Sequence, residues 1–146
     1  MRKPVTWFLV ADGARARIVT RPEGADHYAI VYAEDALAAH ARSRELGSDR
    51  PGRSQESAYS AHHALAPRSD LHRLEESKFI RNLVAHLNRE SARGSFDRLV
   101  LFAAPRCLAQ LRSGLDAATA KKLGGEHAKD LTKVPLAELA RHFAAA

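Results

Sequence analysis

Residues 5–20 read VTWFLVADGARARIVT. The stretch from Val5 to Ala11 is dense in β-branched and aromatic side chains, the composition of a strand. Asp12-Gly13 follows at once and is the strongest short hairpin signal, because both central positions of a primed turn take positive φ. From Ala14 to Thr20 small or apolar residues alternate with basic ones. Arg15 and Arg17 therefore share one face, and Ala14, Ala16 and Ile18 the other. The stretch predicts a hairpin with one basic face, and it sets the direction of everything that pairs with it.

Outward from the hairpin, Arg21-Pro22-Glu23-Gly24 is a turn by composition, and His27 to Ala33 (HYAIVYA) reads as a third strand. An antiparallel meander is the natural result. Glu34 to His40 holds good helix formers but is short. Arg42 to Asp70 has neither a helical nor a strand period and is rich in Ser, Arg, His, Gly and Pro. A connection of that length inside a compact domain is uncommon and tends to be functional or disordered. Leu71 to Arg93 is then a helix, with Ser69 or Asp70 as its N-cap. Leu71, Leu74, Ile80, Leu83, Val84 and Leu87 form its apolar stripe, and Gly94 is its stop.

Arg98 to Ala104 (RLVLFAA) is an almost unbroken apolar run, the mark of a strand buried on both faces. Pro105 opens a helix at a position where its missing N–H costs nothing. That helix is expected to run to about Leu123, with Gly124-Gly125 as its breaker and Glu126 to Leu131 as an edge strand. Pro135 to Phe143 closes the chain as an amphipathic helix. Three antiparallel strands followed by two βα units predict an α/β fold, one mixed sheet of five strands with helices packed on it. That is the layout of a ribonuclease-H-like domain, and residues 1–146 read as a single one.

Composition narrows the function classes. Hydrophobic residues make up 45% and charged residues 27%, a globular balance. The formal net charge is +6, which permits contact with nucleic acid or another polyanion without demanding it. One cysteine, Cys107, cannot form an intramolecular disulfide or a thiol metal cluster. No run approaches the 18 or so apolar residues of a transmembrane helix. The apolar start is interrupted by Asp12 and Arg15 too soon for an export signal. The expectation is a cytoplasmic protein with no membrane partner; the oligomeric state stays open.

Several residues invite chemistry. Asp12 at a strand end could hold a metal, but two-metal chemistry needs converging carboxylates. Asp97 and Asp130 do not obviously join it, so turn chemistry is the simpler reading. His62, His63 and His72 lack ligand spacing. No metal site and no cofactor is expected. Cys107 lies in a first helical turn, where a thiol pKa tends to fall, yet no base partners it and a small buried residue explains it as well. Arg106 follows a buried strand and begins a helix, the anion-receiving corner of an α/β sheet. The central segment carries Arg42, Arg44, Arg50, Arg53 and Arg68 among glycines and serines. Guanidinium groups spaced in this way suit phosphate backbones, with Glu45, Asp49 and Glu56 as partial offset.

Four segments, TWFLVADGARARI, SRELGSDRPGRS, FDRLVLFAAPRCLAQLR and KDLTKVPLAEL, resemble in this order the bacterial host-attachment protein family, over Thr6 to Leu139. The chain departs from that pattern at Ala104 and Ala109, where the family often has a proline and a glycine. The family in turn resembles the middle domain of the archaeo-eukaryotic peptide-release-factor superfamily. That resemblance implies a ribonuclease-H-like fold whose working loop carries Gly-Gly-Gln before a long helix and enters the ribosomal peptidyl-transferase centre. Gly52-Arg53-Ser54-Gln55 stands in the comparable place, which implies Gln55 as the catalytic residue. Ester hydrolysis there needs a backbone able to approach the ester and position a water. Arg53 and Ser54 replace the flexible glycines, which weighs toward binding without turnover. Three functions follow as expectations. The first is a ribosome- or RNA-associated binding module using Arg42, Arg44, Arg50, Arg53 and Arg106, with ribosome or tRNA as partner. The second is a hydrolase of peptidyl-tRNA or RNA. The third is a protein-interaction factor affecting attachment to host cells.

Overall fold

The computed structural model describes residues 2–37 and 68–146. Strands β1 (Thr6–Ala11), β2 (Arg15–Thr20), β3 (Ala29–Asp35), β4 (Arg98–Phe102) and β5 (Leu123–His127) form one sheet in the order β3-β2-β1-β4-β5. β2 is antiparallel to β1 and to β3, while β4 is parallel to β1 and to β5. The mixed five-stranded α/β sheet is therefore as the order of elements predicts. The described helices are α1 (Arg68–Ala92), α2 (Pro105–Gly114), α3 (Ala117–Ala120) and α4 (Leu136–Ala144).

β1 is central, which explains its apolar density. Leu9 and Ala11 join Ile18, Leu99 and Leu101 in a core closed by Phe79, Leu83 and Leu87 of α1 and Leu111 of α2. Phe8 and Val10 face the opposite way, with Val100 and Phe102, onto Leu139 and Phe143 of α4. Both faces of β1 and β4 are thus covered, as parallel strands require. The rings of Phe8 and Phe143 stack with centroids 4.3 Å apart, which docks α4 on the sheet.

Some local expectations change. Gly13 does not take positive φ, and no residue other than glycine does among those described. The hairpin therefore avoids a primed turn. Asp12 makes it by side-chain chemistry instead: its Oδ1 accepts from the N–H of Ala14 at 2.8 Å and of Arg15 at 2.6 Å. A Cβ on Gly13 would lie 2.7 Å from Glu76 Cγ, so the glycine is needed for the close approach of α1. Glu34 and Asp35 belong to β3 rather than to a helix, and the remainder of Glu34–His40 beyond Leu37 lies outside the described residues. Ser69 and Asp70 are inside α1, not before it. Leu74 is 66% exposed, so the core-facing stripe of α1 is Phe79, Ile80, Leu83, Val84 and Leu87. Gly94 does stop the helix, at φ 75°.

The largest revision lies after α2. That helix ends at Gly114, because Asp116 caps a separate turn by accepting from the N–H of Thr119 at 2.8 Å. β5 then begins at Leu123, and Gly124-Gly125 lies within the strand, where it was expected to break a helix. The glycine has a packing reason: a Cβ on Gly124 would collide with the Arg98 side chain, whose Nη2 donates to Gly124 O at 3.2 Å.

Candidate functional site

The carboxyl ends of β1, β3, β4 and β5 lie at one end of the sheet, since all four run the same way. α1 and α2 both start there. Glu76 of α1 lies against Gly13, and α2 begins three residues after Phe102. This is the end at which open α/β sheets bind ligands.

Asp12, at the tip of β1, meets the loop that follows β5. Its Oδ2 lies 3.3 Å from Thr132 Oγ1, and that hydroxyl is 2.6 Å from Asp130 Oδ1. Arg17, on the face away from α1, holds the same loop from below. Its Nη2 donates to the carbonyls of Leu131, Thr132 and Val134 at 3.0, 3.1 and 2.7 Å. Of the two acids considered beside Asp12, Asp130 is thus brought close to it. Asp97 is not: it lies at the far end, where its Oδ2 accepts from Val5 N–H at 2.7 Å and its Oδ1 from Arg2 Nη2 at 2.8 Å. No group of three or more His, Cys, Asp or Glu among the described residues is placed to hold a metal ion.

Cys107 sits in the first turn of α2 but is not an activated thiol. Burial, and then the nearby carboxylates of Asp12, Glu76 and Asp130, push its pKa up to about 12. It is 8% exposed and belongs to the core. His72 is exposed and paired with Glu76, Nε2 to Oε1 3.0 Å.

Arg106 is exposed at the second position of α2 and makes no ion pair among the described residues. Ala104 caps that helix without a side-chain hydrogen bond, and no acid stands in its first turn. The helix therefore starts with backbone N–H groups that no side chain of its own caps, while the carboxylates of Asp12, Glu76 and Asp130 act on the same first turn through Cys107. The chain leaves β3 at this end, after Asp35, and returns to it at Arg68. Arg42, Arg44, Arg50, Arg53 and Gln55, together with His62 and His63, lie outside the described residues; so does the side chain of Arg68. Sequence reasoning singled out Arg106 and put Arg17 on the basic face of the hairpin, but it gave no partner for Arg17, Thr132 or Glu76, which are distant in sequence from what they touch.

A mixed five-stranded sheet with helices on both faces defines an α/β protein. The chain belongs to the family described as "Protein required for attachment to host cells", whose model matches residues 7–143. None of the curated proteins compared with the chain matches it. No helix among the described residues is long and apolar enough to cross a membrane.

Proposed function

We propose that this host-attachment family protein is a ribosome- or RNA-associated binding module of the cytoplasm, a single ribonuclease-H-like domain related to release-factor middle domains. The observation that carries the reading is the exposed Arg106 guanidinium, without an ion-pair partner among the described residues, at the start of α2, which has no side-chain cap. Phosphate oxygens are the natural partners of such a corner, which offers backbone N–H groups and a planar cation together. The sequence between β3 and α1 adds Arg42, Arg44, Arg50 and Arg53 to the positive charge of the chain, residues of a type that suits phosphate. The net charge of +6 supports association with a polyanion.

Binding is preferred to turnover because Gln55 lacks the flexible Gly-Gly neighbours that peptidyl-ester hydrolysis uses. The phrase "attachment to host cells" in the family's description favours a second, compatible reading, in which attachment is an indirect consequence of the protein's intracellular work. Ribosome co-sedimentation tests the proposal. Wild type is expected to pellet with ribosomes at low salt and to be released at high salt. The double variant Arg50→Glu/Arg53→Glu is expected to pellet less. Equal, negligible pelleting of both proteins refutes it.

A further inference from the structure

At the opposite end of the sheet lies an open surface cavity of about 670 Å³, lined largely by exposed residues. Its walls come from the amino end of β1, the turn after β2 and the approach to β3. Phe8 and Tyr28 supply an aromatic floor, and Pro4 and Pro22 supply apolar walls. The floor is fixed from behind: Phe8 and Tyr28 meet edge to face at 5.9 Å, and Tyr28 packs on Phe143 at 5.3 Å. The Tyr28 hydroxyl makes no hydrogen bond among the described residues.

Three cations line this cavity, Arg2, Lys3 and Arg21. They are not equivalent. Arg2 is neutralised by Asp97 at 2.8 Å. Arg21 is oriented: its Nε donates to the carbonyl of Ala25 at 2.9 Å, which fixes the guanidinium plane and leaves both terminal nitrogens available, with the exposed Asp26 carboxylate near enough to feel its charge. Lys3 makes no ion pair among the described residues. Of the two acids in the lining, Asp26 is held by His27 at 3.3 Å with its carboxylate fully exposed. Glu23 is exposed on the turn. The cavity therefore combines an aromatic surface with an exposed, pre-oriented Arg21 at its rim.

We propose that this cavity binds a small organic acid, a carboxylate carried on a flat apolar body. The carboxylate pairs with the terminal nitrogens of Arg21, with Lys3 beside it. The apolar body lies on Phe8 and Tyr28, and the Tyr28 hydroxyl is free to bond a polar substituent. The site is distinct from the Arg106 corner and does not depend on the RNA reading.

The test is a titration of the ¹⁵N-labelled protein with phenylacetate, followed by amide chemical shifts. Saturable shifts are expected at Thr6, Phe8, Ala25 and Tyr28. Acetate supplies the charge without the ring and benzylamine the ring with the opposite charge; both are expected to fail to saturate. Arg21→Ala is expected to weaken phenylacetate at least tenfold and Arg21→Lys less, with the remainder of each spectrum unchanged. Arg81→Ala, on the outer face of α1, is expected to bind as wild type. Absence of saturable shifts overturns the proposal, as does equal binding of benzylamine or acetate. Wild-type affinity in Arg21→Ala overturns it too.

Discussion

Arg17 places one nitrogen against three carbonyls of the 131–134 loop, and burial lowers its pKa from the usual arginine value while leaving it charged. Removing it strands those acceptors next to Thr132, Asp12 and Asp130. Arg17→Ala is expected to cost about 2 kcal/mol, the range for hydrogen bonds to a charged donor, read from urea denaturation. Arg17→Lys is expected to recover only part, because a lysine cannot reproduce the planar fork. An unchanged midpoint in Arg17→Ala contradicts the role. Cys107 gives a second test. With its pKa pushed up to about 12, its reaction with a disulfide reagent at pH 8 is expected to be roughly a hundredfold slower in the native state than in urea. Fast native labelling contradicts the burial. Of these two roles, the sequence alone exposes the second as an option. The first depends on residues 114 or more positions apart, and period-two alternation only says that Arg17 shares a face with Arg15.

Between elements, α1 and α2 approach closely at Gly114. A Cβ there would lie 2.8 Å from Val84 Cγ1, on a stiff β-branched side chain. Gly114→Ala is expected to destabilise the fold by about 1–3 kcal/mol, the cost of overpacking. Val84→Ala in the same chain is expected to relieve part of that, so a double-mutant cycle should show coupling between the two sites. Additive effects contradict the contact. On the other side of α1, His86 stacks on Tyr32 of β3 with centroids 4.2 Å apart. Burial, followed by Arg89 and Arg93, holds its pKa below 6.5 against the opposing pull of Glu90 and Glu34. The folded state thus prefers neutral His86, and between its folded value and 6.5 the unfolded chain binds more protons. The contribution of His86 is complete above pH 6.5 and declines as pH falls below it. His86→Phe is expected to flatten stability between pH 5 and 7; an unchanged slope contradicts the assignment. At this scale α1 and β4 were legible because their apolar patterns are long and regular. β5 was displaced by three residues, since Gly-Gly reads as a breaker when the Arg98 side chain that occupies its place is out of view.

For the whole molecule, the alternation of strands and helices was enough to predict a mixed five-stranded sheet, because β1 and β4 must be buried on both faces and β2 on mostly one. Which residues meet at the carboxyl end of the sheet was not legible, since Asp12 reaches Thr132 and Gly13 reaches Glu76 only through β-strand register and helix direction. That assembled end carries the functional proposal. Its most direct test is the affinity of wild type and Arg106→Ala for a fluorescent RNA hairpin, measured by anisotropy across a series of salt concentrations. Affinity is expected to fall linearly on a logarithmic plot, and Arg106→Ala to bind more weakly with a slope reduced by about one. Salt-independent affinity, or identical slopes for the two proteins, would contradict phosphate recognition at the start of α2.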